Sequence, residues 1–259
     1  AAFALTEPDA GSDAGAGKTV AEKVGDEYVI NGRKCFITNA GPAEIYVVFA
    51  ITDKSKGAKG YSAIIVERDR AGVSVGKEED KMGIRLSNTA DVVFDNVHVP
   101  ADHLIGKEGK GYGYAMATLD LARPIIGAMS AGIIRRCIEE CVEYAKQRVT
   151  FGKPIIKHQV NAFKLADMEI KLETTRAAVI NCFNQYYAGK PYGEAAAIAK
   201  CYGGDAAVQV ALEAIQILGG YGYSREYPVE KLLRDAKIMQ IYEGTNEIQR
   251  MVISGYVCR

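Results

Sequence analysis

The run Gly106-Lys107-Glu108-Gly109-Lys110-Gly111-Tyr112-Gly113 is where the sequence changes period. On its N-terminal side the apolar residues form short β-branched and aromatic runs: Ile45 to Ile51, Ser62 to Val66 and Asp91 to Val99. Tyr28-Val29-Ile30-Asn31-Gly32-Arg33-Lys34-Cys35-Phe36-Ile37 reads as two strands around an Asn-Gly turn, the strongest short-range hairpin signal. Clusters such as Asp53-Lys54-Ser55-Lys56-Gly57 separate these runs, and no helical pattern lies between them. The spacing predicts an antiparallel barrel or sandwich, because a parallel sheet needs crossovers that this region lacks. On the C-terminal side the period becomes helical. Ile134, Ile138, Cys141 and Ala145 form one stripe; Leu165, Met168, Leu172, Thr175, Val179 and Phe183 a second; Val208, Leu212 and Ile215 a third. Short joints at Thr150 to Pro154, Gly189 to Gly193 and Gly219 to Pro228 favour antiparallel neighbours in a bundle. The glycine-rich run opens no βαβ unit, so it predicts a connecting loop or hinge and not a dinucleotide site. The division expected is a β domain over residues 1–105 and a helical domain over 106–259.

Composition narrows the function. The chain has 259 residues, 48% hydrophobic, with 32 basic residues balanced by 32 acidic ones. That is an ordinary globular composition without the basic excess that attracts nucleic acid. No apolar run is read as reaching the roughly 18 residues that span a bilayer, and nothing reads as a signal peptide. The start, Ala1-Ala2-Phe3-Ala4-Leu5-Thr6, has no initiator Met, so an upstream segment is expected to have been lost or removed. Six cysteines are scattered through apolar surroundings, which predicts reduced thiols. Cys137 and Cys141 share a helix face but have no second pair at ligand spacing, so no metal site is expected.

The residue type that points to chemistry is an acid. In Ile241-Tyr242-Glu243-Gly244-Thr245-Asn246-Glu247, Glu243 lies between an aromatic ring and a glycine, where a carboxylate held partly dry becomes a usable base near neutral pH. Four other clusters suit a bound ligand. Leu5-Thr6-Glu7-Pro8-Asp9-Ala10-Gly11-Ser12-Asp13 offers amides and the Thr6 and Ser12 hydroxyls. Phe36-Ile37-Thr38-Asn39 puts a ring and a hydroxyl on one side of a strand, as a flat heteroaromatic group would require. Arg148-Val149-Thr150-Phe151-Gly152-Lys153 closes a helix expected to begin near Gly127; its guanidinium complements a helix dipole or clasps a pyrophosphate. Gln216-Ile217-Leu218-Gly219-Gly220-Tyr221-Gly222 offers bare backbone to a ligand, or a helix cap.

In order and wording these clusters, with Arg234-Asp235-Ala236-Lys237 and Ile241-Tyr242-Glu243-Gly244-Thr245, resemble the acyl-CoA dehydrogenase family along essentially the whole chain, most of all its short-chain, butyryl-CoA branch. The resemblance implies an α+β multidomain fold, an antiparallel β-barrel domain followed by an antiparallel four-helix bundle. It implies FAD as cofactor and oxidation of an acyl-CoA thioester to the trans-2-enoyl thioester, with Glu243 as the catalytic base. Phe3, Leu5, Thr6 and Ser12 match the first flavin-binding stretch, and Phe36 and Thr38 the second. Arg148, Phe151 and Gln159, with Gln216, Gly219 and Gly220, resemble residues that reach the FAD of a neighbouring subunit. Thr245 and Glu247 match cofactor contacts, although Glu247 stands where relatives often carry an amide. Ser12, Asp120, Arg123, Tyr242 and Gly244 are the substrate-side positions. The implied partners are acyl-CoA, an electron-transferring flavoprotein and further copies of the chain, as a tetramer or dimer.

Family members normally carry a helical domain before the Leu-Thr-Glu-Pro loop, and the chain is expected to lack it. Two alternatives therefore stand beside the dehydrogenase: a truncated, non-catalytic paralogue serving as an oligomeric binding module, and an acyl-CoA oxidase. The expected location is the bacterial cytoplasm, or the mitochondrial matrix in a eukaryote.

Overall fold

A computed structural model describes residues 1–258, and the chain divides into two compact units. The first comprises Ala1–Lys81 and Arg85–Thr118, the second Met82–Ile84 and everything from Leu119 onward. An α+β organisation, β structure followed by a helical bundle, is what the structure has.

The β unit is a curled seven-stranded sheet. Its strands are β1 (Ala2–Ala4), β2 (Val20–Val24), β3 (Glu27–Thr38), β4 (Ile45–Ile51), β5 (Tyr61–Glu67), β6 (Val73–Glu78) and β7 (Thr89–Pro100). Pairing is mostly antiparallel; the departures are at β4, where β1 lies parallel with Phe3 opposite Val47 and β2 touches parallel at Val20 opposite Ile51. Side chains alternate along the strands, and Tyr28, Ile30, Tyr46, Val48, Ile64, Val92, Phe94, Val97 and Val99 form the core.

Asn31-Gly32 is not a turn. β3 runs through it as one strand of 12 residues, and the hairpin lies earlier, where Val24 pairs with Glu27 around Gly25-Asp26. Gly32 is needed for close approach: a Cβ there would lie 2.7 Å from the Thr19 Cα and strike the Thr19 hydroxyl. The register against β7 shifts at that point, and the Asn31 side chain accepts from the Asn96 N–H at 2.8 Å.

The helical unit contains, among the described residues, three long and two short α-helices where four were expected. They are α1 (Gly111–Gln147), which begins in the β unit, α2 (Gln159–Tyr187), α3 (Gly193–Leu218), α4 (Val229–Lys237) and α5 (Asn246–Val257). The helix expected to start near Gly127 starts at Gly111 and carries Pro124 inside it, so the proline forgoes one backbone hydrogen bond without ending the helix. Against expectation, one 18-residue window of α1 is long and apolar enough to pass as a membrane span. Ile134, Cys137, Cys141 and Ala145 on α1 are nevertheless buried in the bundle core, the ordinary environment of such a helix in a packed protein.

The third stripe sits at the edge of the buried face: Val208 and Ile215 pack against the core, Leu212 is 52% exposed, and Ala207, Val210, Ala211 and Ala214 are among the fully buried residues of α3. Close helix approach selects small side chains there. A Cβ on Gly127 of α1 would come within 2.8 Å of Val179 and 3.0 Å of the Ala199 carbonyl, and one on Gly203 within 3.2 Å of the Gly127 Cα.

The Phe151-Gly152 segment also has more structure than the sequence shows. β8 (Val149–Thr150) and β9 (Lys153–Pro154) form a small hairpin with Phe151 at φ 50° and Gly152 at φ 77° in the turn. Both central residues lie in the left-handed region that two-residue hairpins demand, here with Phe in the position usually held by Asn or Asp.

Candidate active site

Glu243 lies in the five-residue connection between a short 3-10 turn, Ile238–Gln240, and α5. Its backbone is left-handed, φ 57°, and Gly244 follows at φ 86°. Two such residues in succession reverse the chain tightly and hold the Glu243 side chain in one direction. Gln249, fully buried on α5, reaches back to donate to the Glu243 carbonyl at 3.1 Å and the Gly244 carbonyl at 3.0 Å. Thr245 caps α5 by accepting from the Ile248 N–H at 3.3 Å. A Thr245→Ala variant is expected to lose about 1 kcal/mol of stability, read as a lower midpoint in urea unfolding.

Burial pushes the Glu243 carboxyl above the ordinary glutamate value, against the opposing positive charges of Arg123 and Lys200. Arg123, on α1, is 5% exposed; it pairs with Asp120 one turn before it, and its Nε–H has no partner. Of the two residues named from the sequence, Arg123 is thus brought to the acid, while Asp120 is tied to it only through Arg123. Tyr242 donates its hydroxyl to the Met239 sulfur at 3.2 Å, and burial pushes that phenol up to about 12, so it stays neutral. Glu247 is exposed in the first turn of α5, where its own backbone N–H and the Thr245 hydroxyl lower its carboxyl.

A second site lies elsewhere in the helical unit. A cavity of about 720 Å³ is lined by Tyr144, Arg148, Gln216, Gly219, Gly220 and Tyr221, among others. Residues from the end of α1 and the end of α3 meet there although some 70 positions separate them in sequence. A Cβ at Gly219 or Gly220 would meet nothing, so open space and not internal packing lies beside this backbone. A guanidinium, an amide and bare backbone around an open cavity suit an anionic, phosphate-bearing ligand. Phe151, 96% exposed, and Gln159, exposed at the start of α2, lie outside the lining.

The β unit holds the remaining named residues. Phe3 packs its ring 4.8 Å from Phe49, Leu5 is buried, and the Thr6 carbonyl accepts from the Cys35 N–H at 2.9 Å. Phe36 and Thr38 do share a side of β3, both exposed; Phe36 is 66% exposed and sits at φ 53° in a bulge. Ser12 is exposed.

Sequence reasoning missed the ion pair behind this loop. Lys34, fully buried, donates from Nζ to the Glu7 carboxylate at 2.7 Å, the Leu5 carbonyl at 3.0 Å and the Phe49 carbonyl at 2.6 Å. Glu7 also accepts from the Lys18 and Thr19 N–H groups. Burial alone would raise the Glu7 carboxyl, but the Lys34 charge and these hydrogen bonds outweigh it and lower it. The signal was a lysine on the same strand parity as Tyr28 and Ile30.

With this geometry in view, the likeness to known proteins is direct. The family "Acyl-CoA dehydrogenase, middle domain" matches residues 2–97, and "Acyl-CoA dehydrogenase, C-terminal domain" matches 109–257. A short-chain-specific acyl-CoA dehydrogenase of Megasphaera elsdenii is 52% identical over 259 residues, covering 100% of this chain and 68% of that protein. The solved butyryl-CoA dehydrogenase of M. elsdenii superposes with a TM-score of 0.98, again over 100% of this chain and 68% of that one. A chain in a structure described as the electron transferring flavoprotein of Acidaminococcus fermentans gives 0.98 at 48% identity, covering 100% and 68%. Matches of this extent define an oxidoreductase of a family that is FAD-dependent. The chain belongs to the acyl-CoA dehydrogenase family.

Proposed function

We propose that this chain removes the α and β hydrogens of a short-chain acyl-CoA thioester to give the trans-2-enoyl-CoA, with Glu243 as the base. The observation that carries the reading is the Glu243 carboxyl itself. It is half-buried, raised by that burial, fixed on a left-handed turn and flanked by two buried cations. A carboxyl that burial makes more basic than a free glutamate suits the weakly acidic α-carbon of a thioester. Glu243 takes the α-proton as the α,β double bond forms. Tyr242 and Gly244, with Asp120, Arg123 and Ser12, are the positions assigned to the acyl-CoA.

The residues present fit FAD. Arg148, Gln216 and the Gly219-Gly220 backbone suit its diphosphate-bearing part, while Phe36 and Thr38 offer an exposed ring and hydroxyl. Phe3, Leu5, Thr6, Ser12, Phe151, Gln159, Thr245 and Glu247 complete the set. FAD, when bound, supplies the acceptor for the hydrogen and electron pair leaving the β-carbon. An electron-transferring flavoprotein is the proposed acceptor beyond it, supported by the likeness to a chain of the A. fermentans structure.

The test is direct. The FAD-loaded protein is expected to be yellow and to bleach within turnover time on adding butyryl-CoA without oxygen. A colourless oligomer supports a non-catalytic module instead, and stoichiometric peroxide under air supports an oxidase.

A further inference from the structure

Lys200 lies on α3 with its side chain fully buried, and nothing in the proposed chemistry requires a lysine there. Its Nζ donates to the Gly244 carbonyl at 2.7 Å and to the Asn246 Oδ1 at 2.9 Å. Asn246 in turn donates to the Cys201 carbonyl at 3.0 Å and to Asp205 at 2.8 Å. Asp205 is held further by Gln240 at 2.7 Å and by Arg250 at 2.6 Å. One residue of α3 therefore grips both the last peptide of the Glu243-Gly244 turn and the first residue of α5.

We propose that Lys200 is a positioning residue for Glu243: by holding the Gly244 carbonyl and the Asn246 amide it locks the left-handed turn that aims the carboxylate. A non-glycine residue in that conformation carries strain and persists only where its surroundings over-determine it. Gln249 alone contacts the Glu243 and Gly244 carbonyls from α5; Lys200 supplies the grip from the opposite element. A neutral donor would hold the turn, but the ammonium adds a charge beside the base.

The groups facing Lys200 come from every element around it: Arg123 from α1, Cys201 and Asp205 from α3, Glu243 from the turn, and Asn246 from α5. Burial brings the Lys200 ammonium down to about 8, while the Asp205 and Glu243 charges oppose that fall and Arg123 adds to it. Near neutral pH Lys200 thus remains mostly charged and opposes the burial that raises Glu243.

This inference rests on Glu243 being the base. The variants are Lys200→Met, which removes donor and charge, and Lys200→Gln, which keeps a donor without the charge. Lys200→Met in FAD-loaded protein is expected to lower kcat by about 10- to 100-fold, the scale of a small misplacement of a reacting group. Its KM and FAD content are expected to change far less than kcat, because most of the residues assigned to acyl-CoA and FAD lie outside the Glu243-Gly244 turn. The acid limb of kcat moves to higher pH in both variants, and Lys200→Gln recovers much of the lost kcat. A crystal structure of Lys200→Met is expected to show Glu243 away from φ near 57°. Wild-type kcat with an unmoved acid limb overturns the proposal, as does a loss of activity that only tracks lost FAD. Should Lys200→Met fail to fold, Lys200→Gln carries the same decision through its acid limb. Glu243→Gln measured alongside separates the two ideas: an active Glu243→Gln removes the base, whereas an inactive one beside a wild-type-like Lys200→Met removes only the role of Lys200.

Discussion

Glu243→Gln is expected to lower the rate of butyryl-CoA oxidation by about 10²- to 10⁴-fold, the range over which a positioned base acts, with FAD retained. The amide has the same shape and keeps the turn, because the turn is held through the Glu243 and Gly244 carbonyls and not through the side chain. It cannot take a proton. The same variant is expected to unfold at a higher temperature than wild type at pH 7. The sign follows from linkage: a carboxyl raised in the folded state contributes stability below its unfolded value of 4.5, and loses it as pH rises through the folded value. At neutral pH the buried carboxylate is therefore a burden on the fold, which the neutral amide lifts. Scanning calorimetry and a dye-coupled assay together check both halves. Near-wild-type turnover would remove Glu243 as the base, and a lowered Tm would contradict its burial.

Lys34→Met is expected to destabilise the β unit by about 3–5 kcal/mol, the effect of breaking a buried ion pair from one side. The methionine fills similar volume but leaves Glu7 charged, buried and facing two carbonyls that have lost their donor. The double variant Lys34→Met/Glu7→Gln is expected to recover part of that loss, since the stranded charge is gone. The pair also governs acid behaviour. The Glu7 carboxyl is lowered, so its contribution is present above the unfolded value of 4.5 and is lost as pH falls through the lower folded value. Glu7→Gln should flatten that part of the stability profile in urea titrations between about pH 5 and pH 2. A Lys34→Met protein as stable as wild type would show that the pair contributes nothing net. Flavin loading is expected to weaken in the same variant, because Lys34 pins Leu5 beside the Thr6 loop.

Much of this was legible because the informative residues were contiguous. Period two gave way to period three or four at Gly106–Gly113, and the observed connection between β7 and α1 falls there. Ile45 to Ile51 was read to the residue, and Glu243 was singled out from its neighbours alone. What escaped was set by contacts distant in sequence. Asn31-Gly32 carries a turn's chemistry, but β3 continues through it with a register shift, and Thr19 packs against the glycine. Pro124 looks like a boundary until the surrounding bundle holds a helix across it. Lys200 reads as a surface lysine unless its spacing from Ala196, Gly203 and Ala207, all buried, is counted. No local rule reports that the Gly244 carbonyl waits for it.

The alanine- and glycine-rich side of α3 has a consequence for how this protein can change. Its neighbours meet it almost backbone to backbone, so Cβ atoms act as a ruler for helix separation. There is little on that side to trim and no room to enlarge: an added methylene must push an entire helix. Drift in volume is therefore channelled to the opposite flank, where Ile198, Tyr202 and Leu212 already lie open. Substitutions on that outer flank leave untouched the spacing that carries Lys200 to the Glu243 turn.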